Sequence, residues 1–183
     1  MRLTALALLL VTLSVWIIAG GCGKDEPAIK SDLSGLSLLT AIAEDKVAIV
    51  QLHMDARIDP NKVSIPEGLE VEGAYPLHLA ILKGNEEIVQ ILLDNGAKVD
   101  LRAANKDKAT PLHWAAFFGQ TDLVSLLIEA GAPVNALDAH QSTPSDSGLF
   151  MSVLSEGDEK TAGIVREILT ILKSNGGKHS YEL

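Results

Sequence analysis

Two stretches of this sequence, YPLHLAILKGNEEIVQILLDNGAKVD at 75–100 and TPLHWAAFFGQTDLVSLLIEAGAPVN at 110–135, align without a gap. Pro76 falls on Pro111, His78 on His113, Gly84 on Gly119, Val89 on Val124 and Gly96 on Gly131. A third start, TPSD, opens at Thr143, so the three prolines stand 35 and 33 residues apart. A period of this length means stacked supersecondary units, each burying its apolar face only against its neighbours. Stacked in this way, apolar faces that are unusable in isolation form one continuous core.

The local chemistry of each unit is readable residue by residue. Thr110 suits the N-cap of a helix, and Pro111 at the first helical position gives up an N–H that would be orphaned in any case. Ala115 and Ala116 are small and allow close approach of neighbouring helices, and Gly119 ends this first helix. A second helix follows, with Leu123, Val124, Leu126, Leu127 and Ile128 spaced to bury one broad face. Gly131 then supplies a left-handed stop. The segment APVNALDAHQS (132–142) turns the chain outward before the next Thr-Pro.

TPLHWAAFFG, LVSLLIEAGAPVN and the period together resemble the ankyrin repeat. The resemblance is strongest over 75–143 and predicts an all-α solenoid of about four helix–turn–helix units with finger loops. The units are expected near 36–72, 73–107, 108–140 and 141–177, followed by a polar tail at 178–183. In the first, SLLTAIAEDKVAIVQLHMDARIDPN (37–61), Val50 aligns with Val89 but the Thr-Pro-Leu-His start and both glycines are lost. In the last, Pro144 to Val165 spans 21 residues where Pro111 to Val124 spans 13, which places eight extra residues between the two helices. Atypical end units are expected, because only one face of each has a neighbour. The connector KVSIPEGLEVEGAY (62–75) is six residues longer than its later counterpart and is expected to extend the first finger.

The chain opens differently. Arg2 precedes a 16-residue apolar run, Leu3 to Ile18, and then Ala19, Gly20, Gly21 and Cys22. A positive start, a short apolar core and small residues form a secretory signal, and about 16 residues at ~1.5 Å each fall short of a bilayer core. Cys22 is the only cysteine, so it has no intramolecular disulfide partner. Residues 1–21 resemble a bacterial lipoprotein signal with Cys22 as the lipidated residue, although Ala19 stands where that motif usually has a large aliphatic residue. An ordinary signal peptide with a coincidental cysteine is the other reading. Two or more acyl chains on Cys22 would suffice for stable anchoring. Gly23 rather than Asp after the cysteine favours the outer membrane by resemblance to the enterobacterial sorting rule. Residues 22–35 are polar, with a proline and a glycine, and read as a lipidated tether.

Beyond Arg2 the chain carries 14 Lys and Arg against 24 Asp and Glu, a surface that repels phosphate backbones and argues against nucleic-acid binding. No catalytic, cofactor or metal site is expected. His78 and His113 recur, and the ankyrin resemblance assigns them structural hydrogen bonds around the helix start. His53, His140 and His179 lack ligand spacing, and EGDE (156–159) lacks the alternating ligands of a calcium loop. Ser145 and Ser147 have no nucleophile elbow.

The ankyrin resemblance further implies protein binding on the concave side, through finger tips and the exposed ends of first helices. By position this gives Ala43 and Glu44, Leu82 and Lys83, Phe117 and Phe118, and Phe150 and Met151. Finger candidates are Lys106, Asp107 and Lys108, and Ala139, His140 and Gln141. Adjacent Phe117 and Phe118 project about 100° apart, so both cannot bury in one groove. Phe117, beside Leu82 and Phe150, is the candidate apolar anchor; packing of both rings against the next unit is the alternative. Trp114 is expected to pack between units. The expected partner is a cell-envelope or periplasmic protein bound by a monomeric chain, and an immunity-type inhibitor capping a toxin or hydrolase is the rival reading.

Overall fold

The computed structural model describes residues 35–154 and 158–183, so Cys22, the leader and most of the tether lie outside it. Eight helices form four consecutive pairs: α1 (Gly35–Ala43) with α2 (Val47–Asp55), α3 (Pro76–Lys83) with α4 (Glu86–Asp94), α5 (Pro111–Phe117) with α6 (Thr121–Glu129), and α7 (Pro144–Leu154) with α8 (Glu159–Ser174). The first helices stack on one another in the order α1, α3, α5, α7. In the outer layer α2 packs on α4 and α6 on α8, whereas α4 and α6 barely meet. One continuous core runs through the array, built from residues such as Ile42, Ile81, Leu92, Leu112, Leu127, Ile168 and Leu172. Among the described residues no strand occurs and the helices account for the fold.

The expected stops are present. Gly119 and Gly131 follow α5 and α6 at φ of 71° and 89°. The first unit closes its helices without glycine: Asp45 and Arg57, at the positions of Gly84 and Gly96, take φ of 53° and 59°. Packing of α1 and α2 on the second unit holds these two residues in a conformation that costs an L-residue roughly 1–2 kcal/mol.

The last unit departs from expectation. Its extra residues do not form a loop between helices of ordinary length. They lengthen both helices, α7 to 11 residues and α8 to 16, against 7 and 9 in the preceding unit. The register is shifted as well. Asn61 donates to the Gly96 carbonyl and accepts from the Lys98 N–H, and Asn135 does the same with Gly176 and Lys178. Gly176, at φ 82°, is therefore the counterpart of Gly131, and Leu169 rather than Val165 corresponds to Val124. Asp158, in the acidic EGDE segment, caps α8 by accepting from the Thr161 N–H and hydroxyl.

The fingers are tied to one another by the backbone. The long first connector folds back on itself, with Ile65 N–H donating to the Ala74 carbonyl and Gly73 N–H to the Ile65 carbonyl. Its Gly73 carbonyl accepts from Ala104 N–H at 2.8 Å, and the Asp107 carbonyl accepts from Ala139 N–H at 2.8 Å. The polar tail also docks. Thr143 donates its hydroxyl to the Lys178 carbonyl, while Asp146 accepts from the His179 ring and the Ser180 N–H.

Candidate functional site

The repeated histidines sit at the helix starts and belong to the scaffold. The Thr110 N–H donates to His113 Nδ1 at 3.2 Å and the Thr110 hydroxyl lies 2.7 Å from the same atom. That leaves Nε2 as the N–H that donates to the Ser142 carbonyl one unit further on, at 3.0 Å. Burial lowers the basicity of His113, and of His78 to about 4, so both rings are neutral at physiological pH. His78 donates likewise to the Ala109 carbonyl, but Tyr75 replaces threonine before it. His78 Nδ1 is the one buried side-chain polar atom among the described residues that lacks a hydrogen-bond partner.

These helix starts aim the other face of α5 and α7 into a groove of about 750 Å³. Trp114, Phe117, Phe118 and Phe150 supply its aromatic floor. The rings form one chain: Trp114 edge-on to Phe118 at 5.7 Å, Phe118 edge-on to Phe117 at 5.0 Å, and Phe117 stacked on Phe150 at 6.1 Å. Trp114 is buried and also meets His78 at 5.2 Å, which makes it a packing residue between units. Phe118 leans on the core, Phe117 is half-buried, and Phe150 is largely exposed.

The fingers make the opposite wall, from Val71, Asn105 and Asp107 to Asp138, His140 and Ser142. Each finger is shaped by a short polar side chain bonding its own backbone. Asn105 accepts from the N–H groups of Asp107 and Lys108, and Asp138 from those of His140 and Ser142. His140 bridges the two tips through Nε2 to the Asp107 carboxylate at 3.0 Å, and that hydrogen bond raises its basicity. Asp146 lies at the end of the groove. Partial burial acts to raise its pKa, but hydrogen bonds from Thr143, His179 and Ser180 outweigh this and hold the pKa at about 2.

Of the residues expected at a binding face, Phe117, Phe118, Phe150, Asp107 and His140 line this groove together. Leu82 does not: it packs against the core, and Lys83 beside it pairs with Asp45 at 3.2 Å. The aromatic floor is thus confined to the third and fourth units. Met151 is half-buried, turned toward Gly119. Lys106 and Lys108 are exposed on the second finger but outside the groove, and the Lys108 carbonyl accepts from Arg102. Ala43 packs on the core, Glu44 pairs with Lys46, and Ala139 and Gln141 are exposed. Cys22 lies outside the described residues. Asp138, Asp146 and Asn105 were not anticipated as groove residues. The spacing DAHQS, an acceptor followed by two N–H groups that it can reach, was the available signal for Asp138.

The family model for ankyrin repeats (3 copies) matches residues 38–138, more than half of the chain. The chain belongs to the ankyrin repeat family. The match ends in the third finger, before the elongated α7 and α8. No curated protein matches the chain. Ankyrin repeats are protein-binding modules and generally carry no catalysis, and a groove between fingers and first helices fits that use.

Proposed function

We propose that this ankyrin protein is a lipid-anchored module of the bacterial cell envelope that binds a protein partner in the groove between its second and third fingers and α5 and α7. The observation that carries the binding reading is the Phe117–Phe150 stack, an apolar pair left incompletely covered on the floor of a groove with polar walls. Exposed aromatic anchors in a concavity are what binding hot spots are made of. The anchoring reading rests on the sequence: an apolar leader, then small residues, then a lone cysteine followed by a polar tether. The outer membrane, facing the periplasm, is the proposed location.

Crosslinked envelope preparations, with wild type and Phe150→Ala compared, test the groove. A partner recovered equally by both proteins would refute this site. A recovered toxin or hydrolase that loses activity on binding would specify an immunity-type inhibitor. Metabolic labelling with a fatty-acid analogue tests the anchor, since wild type should label and Cys22→Ser should not.

A further inference from the structure

The α7 helix continues past the point where earlier first helices stop. Helix α5 ends at Phe117, whereas α7 runs from Pro144 to Leu154. Its Asp146, Ser147 and Phe150 line the groove, and one turn beyond Phe150 on the same face stand Val153 and Leu154. Phe150, Val153 and Leu154 are 53%, 68% and 55% exposed, an apolar stripe that leaves the groove and continues along the helix. From the ring of Phe117 to that of Phe150 is 6.1 Å, and four further residues of helix add about 6 Å. The stripe is thus as long as roughly two turns of a bound helix.

The lining of the groove is acidic, while Arg102, Lys106 and Lys108 stand outside it on the second finger. The groove is lined by the carboxylates of Asp107, Asp138 and Asp146, by His140, and by no Lys or Arg. Asp146 is taken up by Thr143, His179 and Ser180. Asp107 shares one oxygen with His140, and Asp138 uses one oxygen on the finger backbone. The second oxygen of each is left for an incoming donor. Asp107 stands exposed at its finger tip and Asp138 is half-buried beside the groove, so an incoming cation can reach both.

We propose that the groove and the α7 stripe together accept a cationic amphipathic helix, its apolar side chains along Phe117, Phe150, Val153 and Leu154 and its Lys or Arg side chains on Asp107 and Asp138. This rests on the groove reading given above and adds the chemistry of the partner. A helix fits because it separates an apolar stripe from a charged flank, matching the stripe and the acidic finger wall.

Labelled peptides of about four helical turns, with Leu at i, i+3, i+4 and i+7 and all other positions Lys, Gln or Glu, test the idea by fluorescence anisotropy. The full-length chain and its variants are kept in one non-ionic detergent throughout, so that micelle binding is common to every titration. The Lys peptide should bind at least about tenfold more tightly than the Gln peptide, and the Glu peptide more weakly still. Asp107→Asn with Asp138→Asn should remove that preference, so that the Lys and Gln peptides bind the variant alike. Val153→Ser with Leu154→Ser, at exposed positions where folding is spared, should weaken both. Equal binding of Lys, Gln and Glu peptides would overturn the charge assignment and leave the groove reading standing. Binding of no peptide would overturn the helix proposal, while the groove reading stands or falls with the Phe150→Ala comparison, and Lys-peptide binding indifferent to the α7 variant would place the helix site elsewhere. A concentration-dependent dimer in ultracentrifugation, abolished by the α7 variant, would make a second copy the occupant and overturn the proposal.

Discussion

Asn135 donates its side-chain amide to the Gly176 carbonyl at 2.9 Å, and so ties the third unit to the end of the fourth. Its oxygen accepts from the Lys178 N–H at 2.8 Å, and Asn61 makes the same two bonds between the first and second units. The middle seam has no such clasp. The side chain of Asp100, at the corresponding position, has no N–H to offer, and Pro133, the counterpart of Lys98, has no backbone N–H to give. This is the seam where α4 and α6 barely meet. Asn135→Ala should therefore cost about 1–3 kcal/mol for two lost bonds, while Asp100→Ala stays within about 0.5 kcal/mol. Asp100→Asn combined with Pro133→Lys should stabilise the array. Urea denaturation of the four proteins checks all of it, and equal effects of the two alanine variants would refute the clasp.

Tyr75 leaves His78 with a buried nitrogen that His113 satisfies through Thr110. Tyr75→Thr should supply the missing hydroxyl and raise stability by about 1 kcal/mol, since an orphaned buried acceptor costs about 1–3 kcal/mol. The ring that is lost is only half-buried, so little packing is sacrificed. An unchanged or lower melting temperature would mean that the hydroxyl does not reach Nδ1.

The same histidine makes the fold sensitive to acid. His78 has its basicity lowered by burial to about 4, against 6.5 for an ordinary histidine. Between those values the unfolded chain binds the proton and the folded chain does not, so stability falls as pH drops from about 6.5 toward 4. At 1.36 kcal/mol per pH unit the loss approaches roughly 3 kcal/mol, and His113 acts in the same direction. Asp146 adds a second, lower window, because its stabilisation is present above about 3.9 and disappears as pH falls through about 2. Urea midpoints recorded from pH 7 to 4 should slope downward, and His78→Gln should flatten that slope whatever it does to the midpoint at pH 7.

Two glycines at positive φ should respond differently to a methyl group. A Cβ at Gly131 meets nothing within 4 Å, so only its φ of 89° opposes substitution and Gly131→Ala should cost about 1–2 kcal/mol. A Cβ at Gly73 would lie 2.4 Å from the Ala104 carbonyl carbon, in the backbone of the next finger. Gly73→Ala must push the first finger from the second, which breaks the Ala104-to-Gly73 hydrogen bond as well. The expected signature is a larger loss of stability than Gly131→Ala, with faster amide exchange at Ala104. Equal losses and unchanged exchange would show that the finger gives way freely.

What was legible in the sequence was what acts locally. Pro111 and Pro144 mark helix starts and Gly119 and Gly131 mark stops through their own backbone preferences, so the units could be counted. Asp45 and Arg57 are not legible in the same way, because residues with side chains do not announce a left-handed conformation that neighbouring helices impose. The register of the last unit is hidden in the sequence for a related reason. Val165 is apolar and buried like Val124, so hydrophobic pattern alone could not choose between it and Leu169; the Asn135 bonds, made across 41 and 43 residues, decide. The groove was half readable. Phe117 and Phe150 follow from repeat position, but the exclusion of Leu82 depends on how closely α3 packs, which no spacing encodes.

Phe117 separates binding from folding most sharply. It is half-buried, held between Phe118 and Phe150, and absent from the buried core to which Trp114 belongs. A buried aromatic costs about 3–5 kcal/mol on truncation to alanine, so a half-buried one on the groove floor should cost less than that. A hot-spot aromatic costs at least about 2 kcal/mol of binding, roughly thirtyfold in affinity. Phe117→Ala should therefore weaken the complex about thirtyfold or more while the array still melts cooperatively. Trp114→Ala should cost the fold more than Phe117→Ala does, since its ring bridges His78 of the second unit and Phe118 of its own. Melting curves and partner affinity measured on both variants give the answer. If Phe117→Ala lowers the melting temperature as far as Trp114→Ala does, the ring is a packing residue and the anchor falls to Phe150, whose exposure leaves it no comparable part in the core.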